Sequence, residues 1–172
     1  ALVGDNMVLQ QATKVRLWGN ATPNSSLKVR SSWDNTEYTA QVNDQGRWEI
    51  WVQTPSASFE KQQLTLENGQ DKIVLHDLLI GEVWFGSGQS NMELPVSRVT
   101  DMFRDEIAAY ENTNIRQLKV PNIFNFHAPQ ADLPDYVAWK PLTQENVMNF
   151  SALGYFFAKA IDQVRPGGVV AF

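Results

Sequence analysis

Cysteine is absent from this 172-residue sequence, which excludes disulfide bonds, zinc–thiolate sites and cysteine nucleophiles. Long apolar runs are absent as well, since no segment approaches the ~18 consecutive apolar residues that a transmembrane helix needs. Lysine and arginine total 14 against 19 aspartates and glutamates, which gives a formal net charge of −5, and they form no basic cluster. We therefore expect no nucleic-acid partner, no anionic membrane surface as a partner and no membrane span.

The remaining composition is typical of a globular protein. Hydrophobic residues make up 43% and charged residues 19%, and the length suits one domain or two small ones with a substantial core. The two histidines, His76 and His127, are far apart in the sequence, and no ligand spacing repeats among the scattered carboxylates. We therefore expect no metal site.

Residues 1–78 are predicted to form an antiparallel β-sandwich with an Ig-like arrangement. Apolar and polar residues alternate in several short segments, as they do in strands with one buried face. Turn signals at residues 43–46 and 68–71 separate neighbouring segments. The predicted strands are residues 15–19, 27–30, 38–42, 47–52, 63–67 and 72–75.

Residues 79–172 have a different pattern, in which strands alternate with helices as in a parallel sheet with covering helices. The predicted elements are a strand at 82–85, a helix at 101–110, a strand at 115–120, a helix after Ser151 as N-cap, and a strand from residue 169. Three parallel strands would leave a small core and an open sheet edge. We therefore expect further polypeptide beyond Phe172.

Residue spacing and composition predict further features of residues 79–172. Met102, Phe103, Ile107 and Tyr110 are spaced to form one apolar face of the first helix. Residues 166–168, Pro-Gly-Gly, are predicted to end the second helix. Residues 122–149 are rich in asparagine, proline and aromatic residues, and we expect an ordered irregular segment there.

The segment GSGQSNM, residues 86–92, follows a short apolar strand and carries two serines. A hydrolytic serine must be exposed, held in one geometry and close to backbone amides that can stabilise an oxyanion. A turn between a strand and a helix meets these needs, because the first amides of a helix have no partner within it. Gly86 and Gly88 would permit unusual backbone angles and close approach there. This geometry places Ser90, and not Ser87, at the strand-to-helix corner.

Other glycine-containing motifs do not fit this segment. A dinucleotide-binding fingerprint would need glycine in place of Asn91, and a phosphate-binding loop would need a Gly-Lys pair. The nucleophile elbow of α/β-hydrolases would need glycine in place of Met92. The spacing alone therefore leaves two interpretations of Ser90 open: a nucleophile, or a hydrogen-bonded serine in a turn.

A family resemblance bears on that choice. Residues 88–92, GQSNM, preceded by GEVW at residues 81–84, resemble the signature of the sialate O-acetylesterase family of SGNH-type serine esterases. Four further blocks resemble the same family in the same order along the chain: residues 6–11, 15–19, 44–48 and 150–158. The resemblance implies that residues 79–172 begin an SGNH-type, flavodoxin-like α/β esterase domain.

The resemblance also implies roles for individual residues. Ser90 would be the nucleophile, and its backbone amide would form part of the oxyanion hole. The other donors of the hole, and a histidine in an Asp-x-x-His motif, come from later segments in the family. Neither His76 nor His127 fits that motif, because Ile73 and Phe124 stand three residues before them. We therefore expect the 172 residues alone to be nearly inert, and we expect no cofactor.

Several side chains are candidates for contacting a sugar. Gln89 and Asn91 flank Ser90 and would either orient the substrate or fasten the turn. Trp33 and Trp139 occupy looser sequence contexts and are better candidates for exposed stacking. The other three tryptophans considered are predicted to pack in the core: Trp18, Trp48 and Trp51.

The predicted function is a carbohydrate O-acetylesterase, most readily a sialate O-acetylesterase, with an acetylxylan-type esterase as an alternative substrate class. Its partners would be an O-acetylated sugar and the remaining C-terminal polypeptide of the same protein. The resemblance points to the periplasm or the outside of the cell. A hypothesis from a different class is a non-catalytic carbohydrate-binding or interdomain module.

Overall fold

The computed structural model describes residues 2–129, 132–164 and 170–171, and it is a mixed α/β fold, as predicted. The helices of the described residues are α1 (Ser90–Glu93), α2 (Thr100–Ala108) and α3 (Ala152–Val164), with 3-10 turns at Val96–Arg98 and Val147–Asn149. The strands are β1 (Val8–Gln10), β2 (Lys14–Asn20), β3 (Ser26–Ser31), β4 (Glu37–Gln41), β5 (Arg47–Gln53), β6 (Ser58–Asn68), β7 (Asp71–Val83), β8 (Asn112–Gln117), β9 (Lys140–Leu142) and β10 (Val170–Ala171).

Most strands belong to one mixed sheet, in the order β4-β3-β6-β7-β10-β8-β9, with β1 also paired to β7. Strands β2 and β5 form a separate antiparallel pair. Both sheets bury alternate side chains in one common core, because strands with a period of two present an apolar row to one face. This core includes Leu17, Trp48 and Val52 from the pair and Val29 and Leu64 from the large sheet.

The predicted antiparallel strands are therefore present, but the Ig-like arrangement is not confirmed. The reason lies in β6 and β7, which are far longer than the predicted strands and pair with each other in one long antiparallel ladder. Between them the chain turns at Gly69, whose φ of 65° lies in the left-handed region that glycine tolerates best.

Strand β7 runs through the junction predicted between residues 78 and 79. Its first part pairs antiparallel with β6, whereas its last residues pair in parallel with β1 and β10. Leu78, Leu79 and Ile80, on both sides of the predicted junction, are fully buried. Separate strands at residues 72–75 and 82–85 were predicted here, yet the strand continues through the residues between them. The strand ends at Val83, so the prediction that it extends to residue 85 was wrong.

Helix α2 differs from its prediction in one respect. Its backbone is kinked at Phe103, where φ is −130° and ψ is 25°. Ile107 is buried as predicted, but Met102 is 73% exposed and does not share the buried face. The kink explains the difference, because it interrupts the 3.6-residue repeat on which the predicted face depended. Strand β8 also begins three residues earlier than predicted.

The parallel strands have the order β7-β10-β8, and β9 pairs antiparallel with β8. A flavodoxin-like sheet places its first strand between the second and third. Here β10, the last described strand, lies between β7 and β8, so a flavodoxin-like order is not confirmed. At Ile80, β7 pairs with Ser58 of β6 along one edge and with Leu9 of β1 along the other.

Helix α3 begins as predicted. The Ser151 hydroxyl accepts a hydrogen bond from the backbone N–H of Gly154 at 3.1 Å, which is the geometry of an N-cap. Tyr155 and Ala158 pack from α3 into a second core that includes Ile107 and Ile115. The predicted helix end at residues 166–168 lies outside the described residues. None of the described helices combines the length and apolarity that a membrane crossing would require.

Candidate active site

Ser90 lies where the sequence predicted it, at the corner between a strand and a helix. Strand β7 ends at Val83, residues 84–89 have irregular backbone, and Ser90 is the exposed first residue of α1. Helix α1 is a single turn, closed by hydrogen bonds from Glu93 N to Gln89 O and from Leu94 N to Ser90 O, each 3.0 Å. The amides of Ser90 and Asn91 precede the first possible intrahelical bond, so they are oriented to donate outward.

The two glycines before Ser90 allow Met92 to fold back beneath the turn. A Cβ atom added at Gly88 would lie 3.3 Å from Met92 Cβ, and one added at Gly86 would overlap Met92 Cε. The predicted close approach is therefore confirmed. Neither glycine has a positive φ, so the left-handed region plays no part at these positions. The contacts of the added Cβ atoms show that space beside Met92 is limited at both positions.

The turn rests on the start of α3 and the end of β8. Backbone hydrogen bonds join Val96 N to Phe150 O at 2.9 Å and Ala152 N to Leu94 O at 2.7 Å. The buried Gln117 side chain, the last residue of β8, accepts a hydrogen bond from Ser151 N at 3.0 Å. Residues at the start of α3 thus hold the segment that follows Ser90, and β8 in turn holds the start of α3.

A depression of about 380 Å³ lies beside Ser90 and is lined by residues 87–92 and Leu153. Gln89, Ser90 and Asn91 all line it, so the structure brings the three predicted site residues together. A second depression of about 340 Å³ is also lined by Met92 and extends to residues 117–122. There Asn122 donates a hydrogen bond to the Glu93 carboxylate, which links α1 to the segment after β8.

The described part of the chain brings no histidine into the depression beside Ser90. His76 lies in the first half of β7, seven residues before Val83, which corresponds to roughly 23 Å along an extended strand. Its backbone amide donates to Asp5 at 2.7 Å. His127 is exposed in the irregular segment after β8, where its amide donates to Asn125 at 3.0 Å.

The tryptophan predictions were partly wrong. Trp139 is buried, and its indole N–H donates to the backbone oxygen of Leu2 at 2.9 Å, because the N-terminal segment covers it. Trp33 is half-buried, and its indole N–H donates to Gln53 O at 3.1 Å. Trp51, predicted to be in the core, is 55% exposed. Trp48 is in the core as predicted, and Trp18 is half-buried.

Two polar clusters beside β7 were not predicted from the sequence. In one, Gln10 and Gln11 donate hydrogen bonds to the Glu82 carboxylate. In the other, the fully buried Arg116 of β8 binds Asp77 of β7. Isolated polar residues in strands give no sequence signal of such pairing.

The Arg116–Asp77 pair sets the electrostatics in the middle of β7. Burial by itself would raise the pKa of Asp77, but hydrogen bonds from Arg116 and Lys61 outweigh burial and hold its pKa below the usual value. Burial lowers the pKa of Arg116, and Asp77 offsets part of that effect. Asp77 has a φ of 56°, a conformation that aspartate tolerates better than most residues.

Comparisons with known proteins agree with the resemblance seen in the sequence. Human sialate O-acetylesterase is 30% identical over 168 residues, covering 90% of this chain and 30% of the human protein. The sialate O-acetylesterase of Pongo abelii is 28% identical over 168 residues, with the same coverage. No protein family model matches the sequence.

A solved structure shows the same similarity in three dimensions. The crystal structure of a carbohydrate acetylesterase from Xanthomonas citri superposes with a TM-score of 0.89 at 30% identity, covering 99% of this chain and 38% of that one. The chain thus spans about a third of the length of the proteins it matches. The chain is a relative of the sialate O-acetylesterases, and the resemblance predicted from its sequence blocks is confirmed.

Proposed function

We propose that this chain is the nucleophile-bearing part of an SGNH-type carbohydrate O-acetylesterase, in which Ser90 is the catalytic serine. The observation that carries the proposal is the position of Ser90: exposed, at the first residue of α1, in a depression and beside amides that point outward. The esterase names of the matched proteins support the same chemistry.

The proposed reaction proceeds in two steps. The Ser90 hydroxyl attacks the acetyl carbonyl carbon of a sugar ester, and its proton passes to a histidine supplied by polypeptide outside these residues. The carbonyl oxygen becomes an oxyanion that accepts a hydrogen bond from the Ser90 amide and from further donors. The sugar oxygen then leaves with the proton from the histidine. Water hydrolyses the acetyl-serine ester, which releases acetate and regenerates Ser90.

We assign a role in substrate binding to the side chains on either side of the nucleophile. Gln89 and Asn91 line the depression with Ser90, and their amide groups can donate to and accept from sugar hydroxyls. One oxyanion donor is typically worth about 3 kcal/mol of the barrier. The family resemblance assigns further donors and the base to other segments, so we expect little turnover by the 172 residues alone.

The substrate class is an O-acetylated sugar. The names of the curated relatives favour acetylated sialic acids, and an acetylxylan-type substrate is the alternative. The chemistry requires no cofactor, because the serine, a histidine and hydrogen-bond donors suffice. We propose the periplasm or the outside of the cell as its location, as the family resemblance implies.

Active-site labelling of the full-length protein tests the proposal. A fluorophosphonate probe should form one adduct, which peptide mapping should locate on Ser90. Ser90→Ala should abolish both the adduct and the hydrolysis of an acetyl ester. Ser87→Ala is the matched control, because Ser87 lines the same depression three residues earlier, and it should leave labelling within about three-fold of the unmodified protein. An adduct on another residue would remove the basis of the proposal.

A carbohydrate-binding module is a second candidate function, and one specific observation favours it. A groove of about 490 Å³ on the β2–β5 pair is lined by Trp18, Asn20, Arg47 and Glu49 among others, and it shares no residue with the depression at Ser90. Aromatic faces beside planar polar groups are suited to sugars. Glycan binding that is lost in Arg47→Ala, in a full-length protein without esterase activity, would favour this candidate.

A further inference from the structure

Glu82, the residue before the last of β7, is held by the side chains of two consecutive glutamines. Gln11 Nε2 donates to Glu82 Oε1 at 2.8 Å, and Gln10 Nε2 donates to Glu82 Oε2 at 3.2 Å. The side-chain amide oxygens of both glutamines also accept hydrogen bonds. Gln10 Oε1 accepts from Val83 N at 2.8 Å, and Gln11 Oε1 accepts from Ala57 N at 2.9 Å.

This pattern of donors and acceptors is specific. Both oxygens of the Glu82 side chain act as acceptors, and each glutamine contributes one donor and one acceptor. A glutamine at position 82 would direct an NH₂ group at another NH₂ group. A glutamate at position 11 would direct a carboxylate at a carboxylate. When both changes are combined, with glutamate at position 11 and glutamine at position 82, each donor again faces an acceptor.

The cluster lies where the ladder between β1 and β7 ends. The last ladder pair joins Gln10 to Gly81, and Gln11 N still donates to Gly81 O at 2.9 Å. Beyond that point the Gln10 side chain replaces the ladder and binds the amide of Val83. Strand β10 also pairs with Glu82 and Val83. Residues 84–89 and Ser90 follow directly, so the Gln10 side chain and β10 together hold the point at which the chain leaves β7.

The other end of the cluster is anchored to the antiparallel part of the protein. The hydroxyl oxygen of Thr54, a buried residue, lies 2.7 Å from Gln10 O and 2.8 Å from Thr13 O, so its one proton is shared between these two carbonyl oxygens. Gln11 reaches Ala57, just before β6. Residues 54–57 therefore anchor the two glutamines that bind the last two residues of β7.

Two of the sequence blocks that carry the family resemblance meet in this cluster. Gln10 and Gln11 end the block at residues 6–11, and Glu82 lies in the block at residues 81–84. We infer that Gln10, Gln11 and Glu82 are positioning residues that hold the end of β7 so that Ser90 is aligned for acylation. This inference rests on the proposed function of Ser90, and it assigns the three residues no contact with substrate.

The test is a reciprocal exchange in the full-length protein. The variants are Gln11→Glu, Glu82→Gln and the double variant that carries both changes. Each single variant should lower the rate constant for fluorophosphonate labelling of Ser90 about ten-fold and lower kcat for an acetyl ester similarly, with KM within two-fold. The double variant should recover to within about three-fold of the unmodified rate, because its donors again face acceptors.

Gln41→Glu is the matched control, since it makes the same change of charge at an exposed position of β4. It should leave the labelling rate unchanged. Urea unfolding of every variant separates positioning from stability: the rate loss should persist under conditions in which each variant is fully folded. The inference would be overturned if the labelling rate fell only in proportion to the unfolded fraction. It would also be overturned if the double variant were labelled no faster than the single variants.

Failure of this inference differs from failure of the proposed function. If the unmodified protein is labelled at Ser90 and both single variants react at its rate, the positioning role is wrong while the nucleophile stands. If the unmodified protein is not labelled at Ser90, the proposed function fails and this inference fails with it.

Discussion

Arg116 of β8 is fully buried, and its Nη2 atom lies 2.9 Å from Oδ1 of Asp77 in β7. Its Nη1 atom also donates to the backbone oxygen of Asp77. The pair therefore clamps β7 in the middle of its course, where the strand passes from antiparallel to parallel neighbours. Lys61 binds the other carboxylate oxygen from the solvent side at 3.1 Å.

Removing the charge of Asp77 should destabilise the protein strongly. Asp77→Asn keeps the shape and tolerates the positive φ, but it leaves Arg116 buried without its counter-ion. We expect the free energy of unfolding in urea to fall by about 3 kcal/mol. Lys61→Met is the matched control, because its ion pair is exposed and should be worth less than about 1 kcal/mol. If both variants lost the same free energy of unfolding, the buried Arg116–Asp77 pair would not be what stabilises β7.

The same pair predicts a dependence of stability on acid. The pKa of Asp77 is lower in the folded protein than in the unfolded chain, so its contribution to stability is complete above the unfolded pKa of about 3.9. That contribution is lost as the pH falls through the folded pKa. We expect the urea midpoint of the unmodified protein to drop below about pH 4 more steeply than that of Asp77→Asn. Parallel pH profiles would contradict the pKa shift.

The two glycines before Ser90 should differ in their tolerance of alanine. At Gly88 the added Cβ would press on Met92 Cβ, which is fixed to the backbone of α1, whereas at Gly86 it would meet only the flexible end of Met92. We expect Gly88→Ala to lower the labelling rate of Ser90 about ten-fold, because misplacement of a nucleophile by a fraction of an ångström is costly. Gly86→Ala should lower it less.

The two glycine substitutions can also be compared in a protein that carries Met92→Ala. In Met92→Ala the thioether is gone but the Cβ atom remains. Gly86→Ala should therefore have no further effect on labelling in this background, while Gly88→Ala should still be harmful. Rescue of both glycine variants, or of neither, would show that contact with Met92 does not explain the two glycines.

The hydroxyl of Tyr155 has no hydrogen-bond partner among the described residues, although the side chain is buried. Tyr155→Phe removes an unsatisfied polar group from the core, so we expect the free energy of unfolding to rise by about 1 kcal/mol. Tyr110→Phe is the control, since the rings are neighbours and the Tyr110 hydroxyl donates to Asp162 at 2.9 Å. That variant should lose about 1 kcal/mol. A loss in Tyr155→Phe would reveal a partner for its hydroxyl.

The amino-acid sequence by itself determined the elements that depend on residues close together in the chain. Alternation of apolar and polar residues determined most strands of the first part. The Ser151 hydroxyl determined where α3 begins, and the pattern of glycines and serines placed Ser90 at a corner. Each of these features depends on residues only a few positions apart, so a single sequence contains the information.

The tertiary structure decided the features that join distant residues. Strand β7 is continuous because Arg116, 39 positions away from Asp77, compensates the polar residue that interrupts its apolar pattern. Trp139 is buried because Leu2 covers it, and Gln10 and Gln11 acquire a role only where β1 meets the end of β7. Such pairings depend on which strands become neighbours, and no periodicity within one segment records that.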